Sequence, residues 1–114
     1  MDSDPRALTA AEKAVLNKLL EVPFKGHDLI RQQIEQSLVR EWDDGSRTLS
    51  FEIGLGKKPP HTIAAEAEFL DDDGHNAHVL LHLREDTVYE LEFFKEVPGP
   101  VLTIPNPDQL RILN

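Results

Sequence analysis

Hydrophobic and polar positions along this chain change period part-way through. Up to about residue 38 the apolar residues recur every three or four positions. Thr9-Ala10-Ala11-Glu12 has the form of a capping box, in which the Thr9 hydroxyl accepts the Glu12 amide and the Glu12 carboxylate reaches back to the amide of Thr9. A helix to about Leu20 follows, with Ala11, Val15 and Leu19 on one stripe and Leu16 and Leu20 beside it. Pro23 ends it and Gly26 allows a turn. Asp28 is a plausible cap for a second helix carrying Leu29, Ile30, Ile34 and Leu38.

From Leu38 onward the period is two. Leu49, Phe51 and Ile53 alternate with polar residues, as do Ile63, Ala65, Ala67 and Phe69, then Val79, Leu81 and Leu83, then Tyr89, Leu91 and Phe93. That is the pattern of an antiparallel sheet with one face on the core. The expectation is a single α+β domain over residues 1–114, two N-terminal helices covering one face of a meander of about five strands. Register follows from keeping the core dry. A three-residue loop Asp72-Asp73-Gly74, with Gly74 in the left-handed slot, sets Ala67 opposite Val79 and Ala65 opposite Leu81. Asp43-Asp44-Gly45 allows the same geometry, pairing Val39 with Leu49, and competes there with a two-residue Asp-Gly turn. A loop at Glu85-Asp86-Thr87 sets Leu81 against Leu91 and Leu83 against Tyr89. The Pro-rich stretch after Val97 leaves room only for a short edge strand at 101–104, with Leu110, Ile112 and Leu113 tucked onto the core.

Charge sharpens this picture. The net charge is −9, and residues 61–114 hold only Arg84, Lys95 and Arg111 against eleven acidic residues. Cysteine is absent, which excludes disulfides and thiolate chemistry and suits a reducing compartment. The acidic start Met1-Asp2-Ser3-Asp4-Pro5 leads into no apolar run, so no secretory signal is expected, and no apolar run approaches a membrane span. A cytoplasmic location is the expectation, with no membrane and, given the acidity, no nucleic-acid partner.

The stretch from about Asp73 to Leu110 carries an acidic-Gly turn (Asp73-Gly74), a Leu80-Leu81-His82-Leu83 strand, a Leu91-Glu92-Phe93-Phe94-Lys95 strand and a Pro105-Asn106-Pro107 end. In these elements it resembles a family of small bacterial proteins known only as domains of unknown function, with Thr87 where their second turn usually has Gly. The resemblance implies the α+β meander and no activity. In size and acidity the chain is also similar in type to the immunity proteins that neutralise bacterial toxins.

Candidate chemistry is sparse. Asp71-Asp72-Asp73-Gly74-His75-Asn76 is the densest set of oxygen ligands, but the twelfth position from Asp71 is His82, where an EF-hand needs a bidentate Glu. An acidic hairpin tip is the better reading. On the outward sheet face Glu68 should oppose His78 and His82 should oppose Glu90, with Glu66 and Glu92 flanking Leu80. His78 and His82, four residues apart on one strand, are separated by about 13 Å, too far to ligate a single ion. Cross-strand His–Glu pairing is the expectation, with no metal and no cofactor. The serines and threonines lie in no nucleophile elbow, and Gly54-Leu55-Gly56-Lys57-Lys58 lacks the spacing of a phosphate loop.

The sequence therefore points to a non-enzymatic module. Glu66, Glu68, Glu90 and Glu92, with His78, His82 and the Asp71, Asp72 and Asp73 tip, would dock a basic protein partner, in the most concrete version a toxin met by an immunity-type inhibitor. Trp42 beside Asp43-Asp44 is a candidate anchor. The competing expectation is a homo-oligomer joined through Leu70, Leu80 and Phe94, which break the polar pattern outside. A metal-dependent hydrolase ranks last, for want of a closed pocket.

Overall fold

A computed structural model describes residues 4–113. The acidic start at Met1–Ser3 lies outside the described residues. Helix α1 (Ala10–Leu19) opens on the capping box read from the sequence: Thr9 Oγ1 accepts from the Glu12 amide at 3.1 Å and Glu12 Oε1 accepts from the Thr9 amide at 2.9 Å. The same carboxylate accepts two bonds from Arg6, whose guanidinium also reaches Glu41 and ties the N-terminal segment to the sheet. Helix α2 (His27–Gln36) is entered through Gly26 in the left-handed conformation, φ 82°, so the cap is Gly26 and not Asp28, which sits in the first turn. Ile30 and Ile34 are buried, whereas Leu29 and Leu38, expected on the same stripe, are about half exposed.

Among the described residues six strands form one antiparallel sheet: β1 (Val39–Glu41), β2 (Leu49–Phe51), β3 (His61–Leu70), β4 (Asn76–Arg84), β5 (Thr87–Lys95) and β6 (Arg111–Leu113), in the order β1-β2-β5-β4-β3-β6. The α+β class and the central β3-β4-β5 meander are as read from the sequence, while the tail adds a sixth strand on β3 through Glu66↔Leu113 and Glu68↔Arg111. Odd-numbered residues of the central strands face the helices. Leu49, Phe51, Ala67, Val79, Leu81, Leu91 and Phe93 pack there against Val15, Leu16, Leu19 and Ile30, all essentially inaccessible to solvent. Burial of each large side chain stabilises by about 1.5–3 kcal/mol.

The β3–β4 hairpin has the expected register, Ala67↔Val79 and Ala65↔Leu81, closed by Gly74 at φ 84°. The other two hairpins differ from expectation. In the first, Val39 pairs with Phe51 and Glu41 with Leu49, two residues beyond the three-residue-loop register, and not the two-residue turn either. Its longer loop is latched to the tail: Arg47, at φ 70°, donates to the Val101 and Leu102 carbonyls, and the Val101 amide donates to the Gly45 carbonyl. Such long-range bonds leave no local signature. In the third, Leu81↔Leu91 and His82↔Glu90 hold, but Leu83 pairs with Val88 rather than Tyr89. Glu85 and Asp86 both take positive φ, 50° and 56°, as a two-residue type I′ turn requires, and a bulge after His82 absorbs the extra residue.

Three further expectations change. The second strand stops at Phe51 and turns through a short 3₁₀ segment, Glu52–Gly54, leaving Ile53 exposed. Gly54 lies so close to the Val88 carbonyl that a Cβ would fall 2.2 Å from it, so only glycine fits. No strand forms at 101–104. Ile63, expected in the core, is 52% exposed, because a bulge between Ile63 and Ala65 turns the first residues of β3 over to the outer face.

Candidate functional site on the outer sheet face

The even-numbered face of β3, β4 and β5 has no helix over it. Its rows follow from the register: Glu68–His78–Phe94, Glu66–Leu80–Glu92, and Ile63–His82–Glu90. These are the Glu and His positions that strand alternation places together, and the structure brings them together. Two groups result, one around each histidine, and each draws on residues that the sequence reading did not include.

The His78 group lies on the regular part of the ladder. His78 Nδ1 is 3.3 Å from Glu66 Oε2, Nε2 is 2.7 Å from Glu96 Oε2, and the ring stacks on Phe94 at 4.8 Å between centroids, 7° from parallel. Glu68 is engaged by Arg111 from β6. Both ring nitrogens and all three carboxylates are thus bound to partners that can neutralise them. Glu96, just past the end of β5, escaped the alternation argument because it lies beyond the last apolar residue of the strand.

The His82 group lies between the two bulges. His82 is 7% exposed. Its Nε2 is 2.8 Å from Glu92 Oε1, and its Nδ1 is 2.7 Å from Nε2 of His61. An ionised carboxylate only accepts, so His82 Nε2 carries a proton, and in the neutral ring Nδ1 accepts from His61 Nε2–H. His61 reaches this face only because the β3 bulge reverses the facing of residues 61–63. Burial, with the neighbouring His82 and Arg84 charges, pushes its pKa below the ordinary value. Glu90, half-buried beside His82, accepts no hydrogen bond among the described residues. Burial pushes its carboxyl up, and the Glu92 charge adds to that shift. Arg84 stacks over Tyr89 at 4.2 Å, and its Nε is buried without a hydrogen-bond partner among the described residues.

The acidic tip divides. Asp71 is not part of any docking face: it is 3% exposed, and its carboxylate accepts from the amides of Leu102, Thr103 and Asp72 while pairing with Lys95 at 3.2 Å. Burial alone would raise its pKa, but the Leu102 and Asp72 amides and the Lys95 ammonium outweigh it and hold the carboxyl below its usual range. Asp73 also pairs with Lys95, and Asp72 is exposed. Of the candidate apolar positions, Leu80 is 7% exposed and contributes no open strip, while Leu70 and Phe94 remain accessible. Trp42 is partly exposed, with its indole N–H donating to Ser50 Oγ at 2.9 Å. On the opposite layer a groove of about 260 Å³ opens between α1 and α2 over Leu16, Leu20 and Ile34, rimmed by Lys13 and Arg31. Leu8, Asn17 and Glu35 complete its lining.

A family model, described as a domain of unknown function (DUF6984), matches residues 5–105. The chain belongs to this family. None of the curated proteins and none of the solved structures matches it. Among the described residues no helix is long and apolar enough to cross a membrane.

Proposed function

We propose that this protein is a non-enzymatic binding module whose outer sheet face docks a basic surface on another protein. One observation carries the reading. Glu66, Glu68, Glu90, Glu92 and Glu96 share a face with no helix over it, and among the described residues Arg111 at the edge strand is the one arginine or lysine ion-paired to any of them. Five carboxylates outnumber that arginine and the two histidines, which leaves such a face negative. Clustered charge of one sign steers an oppositely charged partner and supplies charge-assisted bonds to its Arg and Lys. Phe94 and Leu70 add accessible apolar surface at the same end, the usual companion of charge in a docking patch. An immunity-type inhibitor of a basic toxin, acting in the cytoplasm, is the sharpest form of this reading.

The test is a titration of ¹⁵N-labelled protein with an Arg-rich peptide and with an acidic control. Amide shifts at Glu66, Glu68, Glu90 and Glu92 that vanish at high salt, and weaken in E66K/E92K, support the proposal. Shifts on the helices, or binding indifferent to salt, would sink it. The exposure of Leu70 and Phe94 favours a second reading, self-association through the same end of the face. Sedimentation that stays monomeric at high concentration removes that alternative.

A further inference from the structure

The two histidine groups are alike in composition and unlike in saturation. In each, one imidazole nitrogen and two carboxylate oxygens lie within 4.8 Å of one another: Glu68, His78 and Glu96 in one, His82, Glu90 and Glu92 in the other. The first is closed on itself, since His78 spends one nitrogen on Glu66 and the other on Glu96, and Glu68 is taken by Arg111. The second is left open. Glu90 lies directly across the ladder from His82 with no donor, and Glu92 shares its strand face two residues on.

The backbone around it is unusual too. Both bulges of the central meander fall beside His82, one between Ile63 and Ala65 on β3 and one after His82 in the β4–β5 ladder. Bulges re-aim side chains and concentrate next to functional sites. Here the first delivers His61 to His82 Nδ1, which gives His82 a partner on the nitrogen that faces away from the carboxylates. A histidine that ligates a metal through one nitrogen almost always hydrogen-bonds through the other, and that bond fixes its tautomer and its direction. His61 supplies this bond to a ring that is already more than nine-tenths buried.

We infer that His82, Glu90 and Glu92 form a binding site for a single divalent transition-metal ion, with His61 positioning the histidine ligand. One imidazole nitrogen and two carboxylate oxygens, without a thiolate, suit Zn²⁺ and its first-row neighbours. Ligand atoms around a tetrahedral Zn²⁺ stand about 3.4 Å apart. His82 Nε2 and Glu92 Oε1, now 2.8 Å apart, separate by about 0.6 Å to reach that spacing, and Glu90 swings in without breaking any side-chain bond of its own. Three protein ligands leave a position for water. Binding displaces the proton from His82 Nε2; the His61 Nε2 proton passes along the shared bond to His82 Nδ1, and the displaced proton is taken up from solvent at His61 Nδ1, so that His82 Nδ1–H now donates to His61 Nε2. This inference is separate from the docking reading, which needs no metal.

The experiment uses tag-free protein and Zn²⁺ alone, followed by calorimetry and by imidazole ¹⁵N shifts. One-to-one binding with Kd at or below about 10 µM is expected. The His82 ring should change from the Nε2–H to the Nδ1–H tautomer on loading. Glu90→Gln, whose parent side chain holds no bond in the metal-free protein, should fold normally and bind at least tenfold more weakly. His61→Ala should weaken binding about tenfold, and Glu96→Gln in the other group should leave it unchanged. Absence of saturable binding overturns the inference, as does binding untouched by Glu90→Gln. So does a loss under Glu96→Gln equal to that under Glu90→Gln, or an unaltered His82 tautomer.

Discussion

His78 and His82 stand four residues apart on one strand and one face, yet they occupy different kinds of surroundings. Around His78 the ladder is regular, every partner lies where the pleat predicts, and the histidine and its carboxylates neutralise one another. Around His82 the ladder is broken on both sides, a histidine from the far end of β3 has been turned onto the face, and a carboxylate is left without a donor. The contrast shows where new chemistry enters a simple sheet. Regular pleating distributes polar residues evenly, and a one-residue bulge gathers side chains that alternation would keep on opposite faces.

The strongest way to break the contrast is to remove the bulge. Deletion of Ala64 removes the unpaired residue and leaves Ile63 opposite His82 and His61 opposite Arg84, but it straightens β3 and takes away a side chain packed on the core. The expected loss is about 3 kcal/mol or more, read from the urea midpoint. At the regular end, Asp71→Ala strips the Leu102 and Thr103 amides and Lys95 of their acceptor and should cost about 3 kcal/mol, whereas Asp72→Ala next to it should stay within about 0.5 kcal/mol. Between the two histidines the ordering should be unequal: His82→Ala, removing a buried ring bonded on both sides, should cost about 2 kcal/mol, and His78→Ala about 1 kcal/mol or less.

The smallest effect concerns acid. Burial would raise Glu12, but its bonds from Arg6 and the Thr9 amide hold it below its ordinary value, and Asp71 is held down by its own donors. Groups with a lowered folded pKa stabilise above their unfolded values and lose that contribution as pH falls through them. Stability should therefore begin to decline as pH drops below about 4.5, the ordinary value for Glu12. Glu12→Gln should be less stable at neutral pH and flatter across that range, as followed by thermal melts at stepped pH.

What the sequence disclosed follows the same division. The capping box at Thr9, the helix–sheet layering, the Gly74 hairpin and the rows Glu68–His78 and His82–Glu90 all rest on local chemistry or on a period, and periods are visible in one chain. The features that escaped are those where a long-range contact overrides the period. Arg47 and Asp71 clamp the 101–103 segment from across the molecule, which lengthens the first hairpin loop and keeps 101–104 from becoming a strand. Ile63 alternates correctly with Ala65 on paper, and nothing in its neighbours marks Ala64 as an extra residue. His61 was missed for that reason. The one available signal was a faint one: Glu85-Asp86, read as part of a three-residue loop ending on Thr87, forces a compensating bulge once the turn shortens to two residues.

The central claim is that the β3 bulge sets His61 against His82 on the outer face. A NOESY spectrum in D₂O reads this directly, because the two ring centroids are 4.8 Å apart. The account predicts a cross-peak between the His61 and His82 ring protons, and none from the Ile63 methyls to Val15 or Leu19 on the helical side. Ile63 contacts to those helix residues, with no His61–His82 peak, would contradict it.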